Sequence, residues 1–513
     1  MDREQELLEF ELNHIYYRGY LKSCNYRCGY CPFCKHKSSQ QELERDKGAL
    51  FRFVDYLERL DQKISIMFLP YGEALIHPYY LEALAALSAN KNIESVCIQT
   101  NASFNIDYLM THIQQKDGNM KKIKFWCSFH PSQVSVEEFM GQCQRLYGKG
   151  FSFSVGAVGD YDAIKQLEEL RNQLPTDIYM WINKKDGLKR NYHDYEVKQF
   201  LCIDPHFGME LYKQKADIKL CHGGKQSIFV NGKGDISACN ISNGKIGNIY
   251  ENKIQSPSCK SKSCRCYLAY SNRIDRRELG FFKKDYFNRI LPKSNKKVIF
   301  FDVDGTLTDR NGIIPKQNQI AIEKMGRDYQ LFLNTSLPFS KAFKKCKSIW
   351  PYLSGGSFAN GSDIRIFSYE YKHIISMSQD ILQIINTRKQ RMFLEYEDNT
   401  LHKVGFIGGK GSLTAMLMKE EILNQYNIVF ENGFVSMTDK SASKLKGAIW
   451  ICRCFAINHK NVIPVGNSKN DKEVLSYFQN SVAVDTASTE IKKIAKYSCT
   501  ISEIHKIVNG LPS

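Results

Sequence analysis

Apolar positions along this chain fall into two alternating rhythms. Near-continuous apolar runs such as Ile64-Ser65-Ile66-Met67-Phe68-Leu69 read as strands covered on both faces, and stretches such as Gln40 to Leu60 carry helical periodicity. The runs His14 to Leu21, Ile64 to Leu69, Ile93 to Thr100, Ile123 to Ser128, Phe151 to Gly156 and Asp177 to Ile182 predict six strands. Alternation of this length predicts parallel strands joined by helices, an α/β class. A hairpin follows, Ser227–Val230 and Ile236–Ala238, turning at Gly232, Gly234 and Asp235. The rhythm then stops. Residues 271–296 are basic and aromatic and end Leu291-Pro292-Lys293-Ser294-Asn295-Lys296, which predicts a linker. Beyond it Val298-Ile299-Phe300-Phe301 starts a second series of buried parallel strands, continued by Leu331 to Ser336.

Length and composition set the frame for these elements. A chain of 513 residues predicts roughly three domains. With 43% hydrophobic and 24% charged residues it is ordinary globular material. No run of 18 apolar residues predicts a membrane span, and the start, MDREQELLEFELNHIYY, lacks a signal pattern, so the expected location is cytoplasmic. Seventeen cysteines in a reducing compartment point to metal before disulfides, and thirteen stand at or before Cys266. The later four, Cys346, Cys452, Cys454 and Cys499, read as packing residues. A formal charge of +17 attracts anions: phosphorylated substrates, acidic electron-transfer proteins or nucleic acid. Charge alone does not choose among them, and the basic run at 271–296 reads more simply as solvated chain.

The densest chemistry lies in Ser23-Cys24-Asn25-Tyr26-Arg27-Cys28-Gly29-Tyr30-Cys31-Pro32-Phe33-Cys34. Three thiols on one short loop suit a soft metal centre: zinc, copper(I) or an iron–sulfur cluster. Cys34 could complete a closed four-thiolate zinc site, but it reads here as a neighbour of the trio. Cys24, Cys28 and Cys31 resemble the C-x3-C-x2-C loop of the radical S-adenosylmethionine (SAM) superfamily, with the aromatic Tyr30 before the last Cys. The resemblance implies a partial (β/α)6 barrel and a [4Fe–4S] cluster with one iron left open for SAM. It also implies a 5′-deoxyadenosyl radical that takes a hydrogen atom from substrate, and an electron donor such as flavodoxin or ferredoxin. Pro70-Tyr71-Gly72-Glu73-Ala74 is similar to the family's Gly-Gly-Glu motif, with Tyr71 replacing the first Gly, so Gly72 and Glu73 are expected to hold SAM. Thr100, Asn101, Ser128 and Asn183, at strand ends, are expected near SAM or substrate; as bare residues they read equally well as caps and turns. His130 reads as a hydrogen-bonding loop residue.

A second cysteine group has the spacing Cys221-x12-Gly234-x4-Cys239, then Cys259-x4-Cys264-x-Cys266. It resembles the auxiliary-cluster extensions called SPASM and, being short of downstream cysteines, the one-cluster twitch form more closely. That implies an auxiliary [4Fe–4S] cluster. Cys221, Cys239, Cys259, Cys264 and Cys266 compete for four seats, with Cys202 outside them, and structural zinc would use the same ligands.

In the second half the strand Val298–Phe301 empties into Asp302-Val303-Asp304-Gly305-Thr306-Leu307-Thr308. This string resembles motif I of the haloacid dehalogenase (HAD) phosphatases. The resemblance implies Asp302 as nucleophile, Asp304 as acid and base, Thr335 as the phosphate-binding hydroxyl, and a lysine from Ser443-Lys444-Leu445-Lys446-Gly447, for which Lys446 is preferred. Magnesium is expected on Asp302, Asp304, Asn467 and Asp471, with Asn467 replacing the family's first acid in Gly466-Asn467-Ser468-Lys469-Asn470-Asp471. An insertion between Gly361 and Lys444 resembles the cap of Cof-type members, which act on small phosphorylated metabolites.

The expected organisation is therefore a barrel over 1–200, an auxiliary-cluster segment over 201–270, a linker over 271–296, and a Rossmann-like HAD domain with an α+β cap (about 362–440) over 297–513. The expected function is bifunctional: radical hydrogen abstraction on a phosphorylated sugar, cyclitol or nucleoside, coupled to phosphate-ester hydrolysis. The alternatives are a peptide-modifying radical enzyme, and a nucleic-acid-modifying or binding protein with a degenerate HAD domain.

Overall fold

The computed structural model describes residues 5–6, 12–33, 37–211, 214–242, 244–251, 253–257, 259–264, 266–293, 297–379, 381–382, 392–407, 424–431 and 434–510. The chain divides into two compact units, Met1–Pro292 and Lys293–Ser513. Among the described residues no helix is long and apolar enough to cross a membrane.

In the first unit six strands run parallel in sequence order: β1 (His14–Arg18), β2 (Ile64–Phe68), β3 (Ile93–Thr100), β4 (Ile123–Phe129), β5 (Ser152–Gly159) and β6 (Met180–Lys184). Helices α1 (Gln40–Glu58), α2 (Pro78–Ala89), α3 (Ile106–Gln115), α4 (Val136–Lys149) and α5 (Ile164–Gln173) make the crossovers, and α6 (Asp194–Ile203) follows β6. Strand alternation divides the side chains between two faces. In β4, Phe125, Cys127 and Phe129 enter the helix-side core, which leaves Lys124, Trp126 and Ser128 on the opposite face. Beyond β1 the sheet continues with β7 (Ser227–Asn231), parallel to β1, then β8 (Asp235–Ser237), antiparallel to β7, and β9 (Lys245–Asn248), antiparallel to β8. Two-residue strands at Lys253–Ile254 and Gln5–Glu6 complete that edge. The expected hairpin is thus an extension of the main sheet.

Residues 271–292 are not the solvated linker that their composition suggests. Phe282, Phe287 and Arg289 are fully or almost fully buried against the inner face of the sheet. Phe287 lies 4.2 Å from the His14 ring and 4.4 Å from Tyr16, Phe282 lies 5.4 Å from Tyr179, and Asp285 ion-pairs with Lys124. The Arg289 guanidinium lies 3.1 Å from Glu210 and 3.9 Å from Asp204, and it donates to Asn183 Oδ1 at 2.7 Å. Asn183, expected near SAM or substrate, therefore has its carbonyl oxygen engaged by a buried arginine.

The second unit is built on an eight-stranded sheet. Its parallel strands are β10 (Val298–Phe301), β11 (Gln330–Asn334), β12 (Gly355–Phe358), β19 (Val462–Gly466), β20 (Val482–Val484) and β21 (Tyr497–Cys499). They lie in the order β12-β11-β10-β19-β20-β21, so the winding reverses at β10, where doubly wound sheets open a crevice beyond the strands' carboxyl ends. Helices α7 (Lys316–Asp328), α8 (Phe339–Lys345), α9 (Lys444–Cys454), α10 (Lys472–Tyr477), α11 (Thr489–Ile494) and α12 (Ile504–Gly510) complete it. Cys346, Cys452 and Cys454 are fully buried, whereas Cys499 is half-buried.

The cap starts later than expected. After Gly361, β13 (Asp363–Ile366) joins the edge of the core sheet antiparallel to β12, and β14 (Tyr371–Ile374) pairs antiparallel with β13. The separate four-stranded antiparallel sheet is β15 (Met392–Glu397), β16 (Thr400–Ile407), β17 (Tyr426–Glu431) and β18 (Phe434–Asp439), with its own core of Met377, Ile381, Leu401, Val404, Phe406, Tyr426, Val435 and Met437. Residues 383–391 and 408–423, within the expected cap, lie outside the described residues.

Candidate active sites

In the first unit the chain leaves β1 into the cysteine loop, which docks directly on the segment after β2. Glu73 N–H donates to Ser23 O at 3.0 Å, and a Cβ on Gly72 would stand 1.7 Å from that same oxygen, so only glycine allows the approach. Asp46, buried on α1, fixes the loop's other side by accepting from the Tyr20 and Leu21 N–H groups and from the Tyr79 and Tyr80 hydroxyls. Sequence reading missed it, although it falls in the helix's buried stripe with Leu50, Phe53, Val54 and Leu57.

Cys24, Cys28, Cys31, Gly72, Glu73, Thr100, Asn101 and Ser128 all line one cavity of about 110 Å³. It shares Tyr26 and Asn101 with a neighbouring cleft of about 480 Å³. Burial and the adjacent Cys31 and Cys24 push the Cys28 thiol up to about 11. The Asn101 amide donates to Asn25 Oδ1 at 2.9 Å and reaches Cys24 Sγ at 3.9 Å. Glu73 is sealed in: Thr100 Oγ1 (2.7 Å), Asn101 N–H (2.5 Å) and Leu75 N–H (3.0 Å) donate to its carboxylate, and burial pushes it up to about 7. Its three donors are all neutral. Ser128 Oγ is buried without a hydrogen-bond partner. His130 also lines the cavity; the Tyr30 hydroxyl lies 2.7 Å from its Nδ1, and burial lowers its pKa to about 4. Cys34 lies outside the described residues.

The second cysteine group sits at the extended sheet edge. Burial raises Cys221, Cys239 and Cys264, and each also feels the charge of Cys259. Cys266 differs: burial raises it, the Asn240 amide donates to its sulfur at 3.4 Å, and its neighbouring charge is Glu210. Cys202 lies on α6. Among the described residues no group of three or more His, Cys, Asp or Glu side chains is placed to hold a single metal ion.

In the second unit β10 delivers Asp302 into the switch-point crevice. Lys444 Nζ bridges Asp302 Oδ1 at 2.7 Å and Asp471 Oδ1 at 2.8 Å, and all three residues are buried. Burial pushes Lys444 down, but the two carboxylates outweigh it and hold the ammonium charged. Burial and Asp471 push Asp302 up against the pull of Lys444. The other Asp471 oxygen accepts from Asn467 N–H, Ser468 N–H and Ser468 Oγ. Asn467 Oδ1 accepts from Thr306 at 3.0 Å, and Gly305, at φ +73°, leaves room for the Asn467 amide, which a Cβ would meet at 2.3 Å.

The haloacid dehalogenase-like hydrolase family matches residues 299–402 and 362–511, the stretch that contains this constellation. The second unit is a haloacid dehalogenase-like hydrolase domain. No curated protein matches the chain. Among solved structures, a sugar phosphatase of HAD subclass IIB is 19% identical, covering 41% of this chain and 95% of its own at a TM-score of 0.36. A haloacid dehalogenase-like hydrolase from Bacteroides thetaiotaomicron is 15% identical over 42% of this chain and 99% of its own, at 0.38. A HAD/COF-like hydrolase from Plasmodium vivax is 19% identical over 46% and 100%, also at 0.38.

Within the HAD domain the lysine preferred from sequence needs correction. Lys446 is exposed and donates to Lys440 O at 2.6 Å, and Lys444 is the residue at the carboxylates. Ser443 caps α9, so Lys444 and Lys446 are two helical positions apart and point roughly 200° apart around the axis. Thr335 is fully buried; its hydroxyl accepts from Leu337 N–H at 3.1 Å, which leaves its proton to donate. Asp304 stands at the open side, ion-paired with Lys345 at 2.5 Å.

Proposed function

We propose that the HAD domain hydrolyses phosphate monoesters through Asp302. The observation that carries this reading is the ammonium of Lys444 held between Asp302 and Asp471. It pulls the buried Asp302 carboxylate toward its ionised form against burial and Asp471, and an ionised carboxylate is what a carboxylate nucleophile requires. Asp302 attacks phosphorus, the bond to the leaving oxygen breaks, and Asp304 supplies that oxygen's proton. Asp304 then takes a proton from the water that opens the aspartyl-phosphate, returning both residues to their first state. Thr335 and Lys444 hold the phosphoryl oxygens. Two buried carboxylates against one ammonium leave a net negative charge, and the oxygen donors of Asp302, Asp304, Asn467 and Asp471 suit magnesium, which when bound offsets charge on the phosphate. Asn467 brings less charge than an acid would. Phosphate release from a panel of monoesters, dependent on magnesium and abolished in Asp302→Asn, tests the reading. Release that survives Asp302→Asn contradicts it.

For the first unit the reading is radical SAM chemistry on a small phosphorylated metabolite. What supports it is the convergence of Cys24, Cys28 and Cys31 with Gly72, Glu73, Thr100, Asn101 and Ser128 on one cavity that adjoins a cleft of ligand size. A cubane's thiolates bind separate irons, so they need less convergence than the ligands of a single ion. The soft donor set fits such a cluster, which with SAM supplies a radical able to take a hydrogen atom. Glu73 orients the ends of the second and third strands around it, and the buried Ser128 hydroxyl offers a hydrogen bond to a bound group. Cys221, Cys239, Cys259 and Cys264 are taken as the auxiliary set, with Cys266 outside it. Anaerobic reconstitution tests this half: iron, sulfide and 5′-deoxyadenosine formation support it, and zinc with no SAM cleavage contradicts it.

A further inference from the structure

The turn that follows β12, Ala359–Gly361, lies where the core loops of the HAD domain meet its cap. Two consecutive residues in it that are not glycine adopt left-handed backbone, Ala359 at φ +50° and Asn360 at φ +57°. Asparagine enters that region more readily than alanine, and a conformation of this kind persists only where its surroundings hold it. The surroundings here are the parts already tied to the chemistry. Asn360 N–H donates to Thr335 O at 3.1 Å, and Ala359 N–H donates to Leu337 O at 2.8 Å. A Cβ on Gly361 would stand 2.2 Å from the backbone oxygen of Ser443, which caps the helix that begins at Lys444.

The Asn360 side chain, 1% exposed, joins two further parts. Its amide nitrogen donates to Ser436 Oγ, on β18 of the cap, at 3.2 Å. Its Oδ1 accepts from Asn470 Nδ2 at 3.0 Å. Asn470 precedes Asp471 in the single turn Lys469–Asp471, which Ser468 caps. One buried amide thus spans the gap between a cap strand and the loop that carries Asn467 and Asp471. That loop is one acid short, because Asn467 supplies an amide oxygen. Its hold on a cation therefore leans on how firmly the remaining ligands are placed, and groups that orient a metal's ligands contribute strongly to affinity.

Resting on the phosphatase reading, we propose that Asn360 is a positioning residue for the magnesium loop, through which the cap residue Ser436 tunes the loop's affinity for the cation. Without the Ser436 hydroxyl the buried amide N–H of Asn360 has lost its acceptor, a cost that the side chain relieves by rotating. Rotation takes Oδ1 away from Asn470, and the turn holding Asp471 loosens. Linkage makes the effect mutual, so that bound magnesium favours the Ser436 contact by the same factor.

The test titrates magnesium chloride calorimetrically into the full chain freed of divalent cations, with no substrate present. Asn360→Gly keeps the left-handed backbone accessible and removes the amide; it is expected to raise the magnesium Kd about tenfold. Ser436→Ala, which changes only the cap, is expected to raise it roughly threefold, and Ser436→Thr, which keeps the hydroxyl, to restore it to within about twofold. Lys341→Met breaks a different contact to the cap, at Glu395, and should leave Kd within about twofold of wild type. Because the relay runs through one residue, Asn360→Gly combined with Ser436→Ala should bind no more weakly than Asn360→Gly alone. An unchanged Kd in Ser436→Ala, losses that add in the double variant, or an equal loss in Lys341→Met overturns the relay. A wild type that takes up no magnesium overturns it as well. The phosphatase reading stands or falls separately, on phosphate release in Asp302→Asn.

Discussion

Glu73 in the first unit and Asp302 in the second invite comparison. Each follows a parallel strand, each is buried, and burial raises the pKa of each. They differ in what surrounds the carboxylate. Glu73 meets only neutral donors, from Thr100, Asn101 and Leu75. Asp302 meets an ammonium that it shares with Asp471. Neutral donors orient a carboxylate and tie strand ends together. An ammonium additionally pulls it toward the charged form that a nucleophile requires, against burial and Asp471. The same position at the end of a strand thus serves scaffolding in one unit and, on the phosphatase reading, chemistry in the other.

The largest expected effect breaks the charged half of this comparison. Lys444→Met leaves Asp302 and Asp471 buried with no cation, a cost of about 3 to 5 kcal/mol in urea unfolding, and phosphate release disappears. Lys446→Met changes stability by less than about 0.5 kcal/mol and leaves release unaltered. Equal behaviour of the two variants would dissolve the assignment of Lys444.

Arg289→Met extends the test to the first unit, where Asp204 and Glu210 do have a buried cation. Its removal is expected to cost about 3 kcal/mol, read as a lower denaturation midpoint for that unit. A change under about 0.5 kcal/mol would restore the linker view of 271–292.

The neutral half is probed by pH. Because Glu73 is raised from 4.5 to about 7, its contribution to folding is fully present below pH 4.5 and is lost as pH rises through 7. Relative to wild type, metal-free Glu73→Gln should therefore gain up to about 3 kcal/mol in stability between pH 4.5 and 7, above a constant offset from the amide. A pH-independent difference would mean that Glu73 is ionised throughout. Smallest is Thr100→Val, which removes one donor to Glu73 and should cost about 1 kcal/mol in the same unfolding measurement.

Much of the strand order was legible because parallel strands carry apolar runs that need no partner to be recognised. The strand-end residues Thr100, Asn101 and Asp302 were legible for the same reason, since they stand where a clear run stops. Lys444 was not, because Lys444 and Lys446 flank the same turn and only the start of the helix decides which one faces the crevice. The burial of 271–292 was invisible too. That segment folds as a 3₁₀ helix over Arg277–Asn288, kinked at Lys283, so Phe282, Phe287 and Arg289 follow neither α-helical nor strand periodicity, and their burial depends on an inner face formed by strands far away in sequence. The cap boundary shifted because β13 and β14, though placed after Gly361, found hydrogen-bond partners on the core sheet's edge.

The most direct test of the central claim is the mass of the peptide containing Asp302 after acid quenching of the full chain during turnover of a phosphomonoester with magnesium. The account predicts one added phosphoryl group on that peptide, absent in Asp302→Asn. Steady phosphate release with the group on another peptide, or with none on the protein, would contradict it.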